Sequence, residues 1–273
     1  EWYAPWQLIL SGQGSPQNAQ YLQIWDDMAQ SYRNGSVIEW NKSSTAAQEY
    51  VLKNNLYDPF LFKLEKLYNQ THPYDWARIL YLAGIILIGI SFVYSNPLSR
   101  IFAITAGSLA AIAHASGIVS RVLILERPPV GTLYESVLFV ALICAIGGLI
   151  ACICRRNDFI FLAGLLSALG LMLVAPILVP EGESLEVLVA VLNTNFWLDT
   201  HVTIITAGYG VSIIAACMAH FYMVGRLSRD KKKPAVLKLY NATYRISILA
   251  LLLTAVGTVL GGIWADQSWG RFW

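Results

Sequence analysis

Hydrophobic and polar positions divide the chain into two unlike parts. Residues 1–76 mix polar and aromatic side chains. They hold no apolar run of the about 20 residues that a bilayer crossing needs. From residue 77 onward, apolar runs of that length alternate with short polar stretches. They predict membrane-spanning helices near 77–95, 98–124, 134–154, 158–179, 200–225 and 242–263. The second run is longer than a bilayer requires, which predicts a tilted helix or one that projects past the lipid. Within the polar part, helical stretches are expected near 19–32, 44–54 and 59–68, and Asn34-Gly35 reads as a turn.

The expected fold class is therefore all-α: a polytopic helical membrane protein with about six transmembrane helices and a small, mostly helical N-terminal region outside the membrane. The expected domains are residues 1–76, the tail of an external soluble region; 77–263, the six-span domain; and 264–273, the start of an external Trp-rich segment. The absence of an initiating Met and of a signal-peptide pattern at Glu1-Trp2-Tyr3 fits a chain cut from a longer one.

Composition agrees with the pattern. The chain is 56% hydrophobic and 13% charged, with a mean hydropathy of +0.52; soluble domains carry about 25% charged residues. The net charge of +2 matters less than its distribution. One set of loops holds Arg100, Arg155, Arg156, Arg226, Arg229, Lys231, Lys232, Lys233 and Lys238. The other holds Glu126, Arg127, Glu181, Glu183, Glu186, Asp199 and Asp266. The two sets alternate at every crossing, so the basic set is expected on the cytoplasmic side. Residues 1–76, loop 180–199 and residues 264–273 then lie outside. The lysine run is a topology signal, so membrane lipid is the expected surrounding and no nucleic-acid partner is expected. Cys144, Cys152, Cys154 and Cys217 lie in or beside apolar runs, without CxxC or CxxCH. That argues against a zinc site, a redox dithiol or a haem-attachment motif, and for apolar filler.

Two features carry candidate chemistry. Trp264, Trp269 and Trp273 follow the last apolar run and the pair Gly261-Gly262. They form either an aromatic belt at the headgroups or a flat platform for a planar ligand. Gly261, Gly262 and Gly270 predict a bent backbone that would let several rings share one surface. His201 opens the fifth span on the same outer face. A neutral imidazole there suits axial ligation of haem iron. The alternative is an interfacial histidine at a helix start capped by Thr200 or Asp199.

The other histidines read differently. His114 shares a helical stripe of the second span with Gly107, Ala111, Gly117 and Arg121. An ionisable residue inside a membrane is a functional candidate, and a buried polar group that is simply hydrogen-bonded is the alternative. Arg121 calls for a carboxylate, either a haem propionate or a neighbour such as Glu126 or Glu135. Glu135 suits the first turn of a helix. His72 reads as a solvated loop residue. His220 lies roughly 28 Å along the helix from His201, at about 1.5 Å per residue, so the two cannot share an iron.

Three segments, HASGIVSRVLILERPPVGTLYES, WLDTHVTIITAGYG and GTVLGGIWADQSWGRFW, occur in an order that resembles the CcsA-type (ResC-like) proteins of system II cytochrome c biogenesis. The last resembles the WWD motif shared by CcsA-, CcmC- and CcmF-type haem-handling proteins. The resemblance covers about residues 77–273. It implies haem b as bound cargo, with His201 as a metal-binding axial ligand and Trp264, Trp269 and Trp273 as cofactor-binding platform. It implies a second external ligand downstream of the last residue, and an apocytochrome c with a CxxCH motif as acceptor. A CcsB/ResB-type partner, fused or separate, is also implied, as is membership of a holocytochrome c synthase in a bacterial inner membrane. An internal fragment of a fused CcsBA-type synthase is the expectation. A CcmC-type haem-delivery subunit without ligase activity, and a transporter or scaffold with only an aromatic anchor, remain alternatives.

Overall fold

A computed structural model describes residues 16–54, 58–179, 196–227 and 234–270. All regular structure among them is helical. The helices are α1 (Pro16–Arg33), α2 (Val37–Lys53), α3 (Pro59–Thr71), α4 (Pro73–Tyr94), α5 (Pro97–Leu125), α6 (Leu133–Arg155), α7 (Asp158–Leu178), α8 (Phe196–Leu227) and α9 (Pro234–Trp269). Two compact units result, Glu1–Lys63 and Leu64–Trp273, with the division inside α3.

In the first unit, α1 and α2 form a hairpin. Gly35 turns the chain at φ 65°, a value glycine adopts without steric cost. Ser36 then caps α2 by accepting from the Glu39 amide. Polar and aromatic contacts stand in for an apolar core. Tyr21 meets Tyr50 with ring centroids 6.0 Å apart, and the Ser31 and Ser43 hydroxyls lie 3.2 Å apart.

The second unit holds six helices long and apolar enough to cross a membrane, α4 to α9. Large apolar side chains such as Ile79, Ile86, Ile112 and Leu251 face outward, more than half exposed. An apolar exterior of that extent belongs in lipid. The chain is a multi-pass α-helical membrane protein.

Two turns at one end of the bundle share a design. Ser95 and Arg156 end α4 and α6 in the left-handed region, and Asn96 and Asn157 then cap α5 and α7 through their side-chain oxygens. Arg100 bonds Asp158 with both Nε and Nη2 at 2.9 Å, which ties the start of α5 to the start of α7. Between α6 and α7 the backbones approach closely. A Cβ on Gly164 would lie 2.5 Å from the Cys144 carbonyl oxygen and 2.9 Å from Gly148 Cα. Small residues at such crossings let helices gain packing where lipid offers no hydrophobic drive.

The last helix differs from expectation at both ends. It begins at Pro234, a residue suited to a first helical turn, and runs unbroken through Gly261 and Gly262 to Trp269. The chain leaves the helix only at Gly270, with φ 66°. The predicted bend at the glycine pair is therefore replaced by continuous helix, with Gly261 packed against His201 of α8.

Candidate functional site: the His201 seat between α8 and α9

α8 and α9 run antiparallel, so the start of one lies beside the end of the other. The helices touch along a line of small residues. A Cβ on Gly208 would lie 2.7 Å from the Thr254 side chain, and one on Gly257 would lie 2.8 Å from Ile205 Cα. Gly257 and Gly261 are one turn apart and share a face. That spacing brings the α9 backbone within reach of side chains on α8.

His201 uses this proximity. Its Nδ1 lies 2.7 Å from the Gly257 carbonyl oxygen. Its ring rests on Gly261, where a Cβ would stand 2.6 Å from Cε1, 2.8 Å from Nδ1 and 3.1 Å from Nε2. Its plane lies 5° from that of the Trp264 indole, with centroids 6.5 Å apart, a parallel and offset arrangement. Gly257, Gly261 and Trp264 follow at steps of four and three, which places them along one stripe of α9.

The capping alternative for His201 does not survive. α8 begins at Phe196, so Asp199 is already in its first turn. The Thr200 hydroxyl donates to the Phe196 carbonyl at 2.7 Å rather than capping an amide. The chain thus places His201 inside the helix, facing α9.

His114 and Arg121 sit elsewhere. His114 is fully buried, with Nδ1 3.3 Å from the Tyr81 hydroxyl and its ring edge-on to Tyr74 and Tyr81. Arg121 reaches Glu135 at 3.1 Å, and Arg127 reaches the same carboxylate oxygen at 2.7 Å. The other Glu135 oxygen accepts from the amides of Gly131 and Thr132. The Thr132 hydroxyl oxygen accepts in turn from the Glu135 amide, which completes a capping box at the start of α6. Arg121 also lies over the Tyr134 ring, 5.5 Å from its centroid. The role offered for Arg121 toward a carboxylate is thus met by Glu135 within the chain. The sequence signal for this cluster was Thr132-x-x-Glu135, whose box pattern says more than a dipole argument on Glu135 alone. His114 and Arg121 both belong to α5, not to the α8–α9 pair that holds His201.

His220 bonds the Ala216 carbonyl of its own helix at 2.7 Å and is exposed. His72 is exposed at the left-handed junction before α4. The side chain of Trp269, and Trp273 altogether, lie outside the described residues, as do residues 180–195 and 228–233. Among the described residues no group of three or more His, Cys, Asp and Glu side chains could hold a metal ion.

Six membrane-crossing helices define an integral membrane protein, and His201 beside Trp264 is its candidate site. Residues 130–273 match the family described as "Cytochrome C assembly protein". That match takes in more than half of the chain, and the chain belongs to that family. It is similar to Protein NrfI of Wolinella succinogenes, at 33% identity over 164 residues, 59% of this chain and 18% of that protein. It is also similar to the cytochrome c biogenesis protein CcsA of Chlamydomonas reinhardtii, at 27% identity over 157 residues, 53% of this chain and 43% of the relative. The CcsA of Guillardia theta is 25% identical over 175 residues, 53% of this chain and 56% of the relative. The chain thus spans less than two thirds of the length of each.

Proposed function

We propose that the chain is the haem-handling part of a system II cytochrome c synthase, and that haem b is its cargo. His201 supplies one axial nitrogen to the iron at the outer face of a bacterial inner membrane. Trp264, Trp269 and Trp273 line the porphyrin and leave its vinyl groups open to an apocytochrome c bearing CxxCH. A CcsB/ResB-type partner, fused or separate, completes the assembly. Residues 1–76, loop 180–199 and residues 264–273 face the periplasm.

The chemistry asks little of the protein. Each cysteine thiol adds across one vinyl double bond, sulfur to one carbon and hydrogen to the other, so the addition is redox-neutral. The reactivity belongs to haem and acceptor, and the protein contributes position and exclusion of water. His114 and Arg121 have partners within the bundle, and the reading requires neither of them at the iron.

The observation that carries the reading is the pairing of His201 with Trp264. An imidazole whose Nδ1 is engaged by a backbone carbonyl leaves Nε2 as an axial nitrogen, and the indole beside it, parallel to the imidazole, stands where its edge rather than its face would meet a ligated porphyrin. Family membership over residues 130–273 supports the same cargo.

The test is made on the full-length protein purified from membranes. His201→Ala should lower bound haem or move its spectrum away from bis-histidine ligation, and added imidazole should restore it. His220→Ala should leave the spectrum unchanged. An unaltered haem spectrum with unaltered synthase activity in His201→Ala removes the reading.

A further inference from the structure

The bond between His201 Nδ1 and the Gly257 carbonyl has only one polarity. A carbonyl oxygen accepts and cannot donate, so Nδ1 carries the hydrogen. In a neutral imidazole the second nitrogen, Nε2, then holds the lone pair and is the one that can bind a metal. Gly261 adds a second restraint. Any side chain there would overlap the imidazole, so the ring can rest on α9 only because that position is bare. The Trp264 indole, parallel to the imidazole, continues the same stripe. Tautomer and ring position are thus set by three residues of one helix, before any ligand is present.

We propose that Gly257 and Gly261 are positioning residues that pre-set His201 as the Nδ1–H tautomer, with Nε2 as an electron-rich donor to a porphyrin iron. The proposal deepens the reading of His201 as an axial ligand and rests on it. A hydrogen bond from the far nitrogen of a ligating histidine to a carbonyl raises the basicity of the ligating nitrogen, and loss of such a partner typically costs 10–100-fold in metal affinity. A more basic nitrogen favours ferric over ferrous iron. The effect of disturbing the seat is therefore visible in the redox balance of the bound haem as well as in its retention.

Two arms test this in the full-length protein. The first uses haem-free protein labelled with 15N-histidine, with the His201 signals identified by their loss in His201→Gln. A protonated Nδ1 and an unprotonated Nε2 are expected. The opposite tautomer, or an even mixture, overturns the proposal without any variant of the seat having to fold. The second arm uses haem-loaded Gly261→Ala. Ferric haem affinity should fall roughly tenfold, at the lower end of such losses. With ferrous affinity unchanged, that is an upward shift of about 59 mV in the one-electron midpoint potential. Gly89→Ala and Gly170→Ala, where a Cβ meets nothing within 4 Å, are the controls and should match the parent protein. A Gly261→Ala protein with parental affinity and potential overturns the proposal. The two levels separate cleanly. If His201→Ala leaves the haem spectrum intact, the ligand reading falls. If His201 proves to be a ligand but its tautomer is the other one, only the positioning role falls.

Discussion

The imidazole of His201 and the indole of Trp264 lie within 5° of parallel, one from the first turns of α8 and the other from the last turns of α9. The antiparallel crossing of those helices brings them together, and each ring lies against a helix surface that the other helix helps to shape.

Haem retention separates a porphyrin contact from a membrane anchor. Aromatic pairs add about 0.5–1.5 kcal/mol beyond their buried area, which corresponds to roughly two- to tenfold in affinity for each ring contact. In the full-length protein, Trp264→Ala should reduce haem retention by that order, and Trp269→Ala and Trp273→Ala should do likewise. Membrane insertion and protein level should stay normal. Haem content per protein, read by absorbance, checks it. Retention at the parental level in all three variants would favour the aromatic belt.

The Glu135 cluster makes a prediction about stability rather than cargo. Its carboxylate serves two arginines and two backbone amides, and the Arg121 and Glu135 side chains are only 4% and 5% exposed. Removing one member of such a buried set costs about 3–5 kcal/mol. Glu135→Ala should therefore lower the melting temperature in detergent strongly. Glu135→Gln, which keeps an oxygen for the amides, should lower it less. Equal melting of both variants and the parent would contradict the cluster's role.

The crossing of α6 and α7 predicts a contrast between two glycines. Gly164→Ala places a methyl 2.5 Å from the Cys144 carbonyl oxygen, so the helices must part. Overpacking of this kind costs about 1–3 kcal/mol. Gly170→Ala meets nothing within 4 Å on α7 and should be neutral or stabilising by up to about 1 kcal/mol, the helix preference of alanine over glycine. Thermal unfolding of the two variants side by side decides the matter.

Topology is open to chemical labelling. Single cysteines in residues 180–195 should react with an impermeant maleimide added to intact cells. Cysteines replacing Lys231, Lys232 or Lys233 should react only after the membrane is opened. Labelling of the lysine positions from outside would invert the orientation that the basic loops imply.

Much of the fold was legible because lipid demands long apolar runs. Each of the six expected spans has its helix, and Asn34-Gly35 turns the chain where expected. The ends were less legible. α9 extends from Pro234 to Trp269 although the apolar run suggested 242–263, because hydropathy registers only the part that lipid touches and not the polar turns beyond it. The glycine pair was misleading for a related reason. Glycine inside a helix costs about 1 kcal/mol relative to alanine, and what offsets it, the close approach of α8, is a tertiary contact with no trace in local sequence. At the site, residue types and a shared outer end suggested His201 with Trp264. The carbonyl of Gly257 was invisible, since every residue has one and only helix register selects which is used.

The seat on α9 also fixes the register of the α8–α9 contact. If α9 slid along α8 by one turn, about 5.4 Å, the residue beneath the imidazole would change. One way brings Gly257 under the ring, again without a side chain; the other brings Ala265, whose methyl would take the place the ring occupies. The first shift also puts Leu253 where Gly257 now meets Ile205, a place with no room for a side chain, so the contact is closed to travel in both senses and locks the register of the two helices.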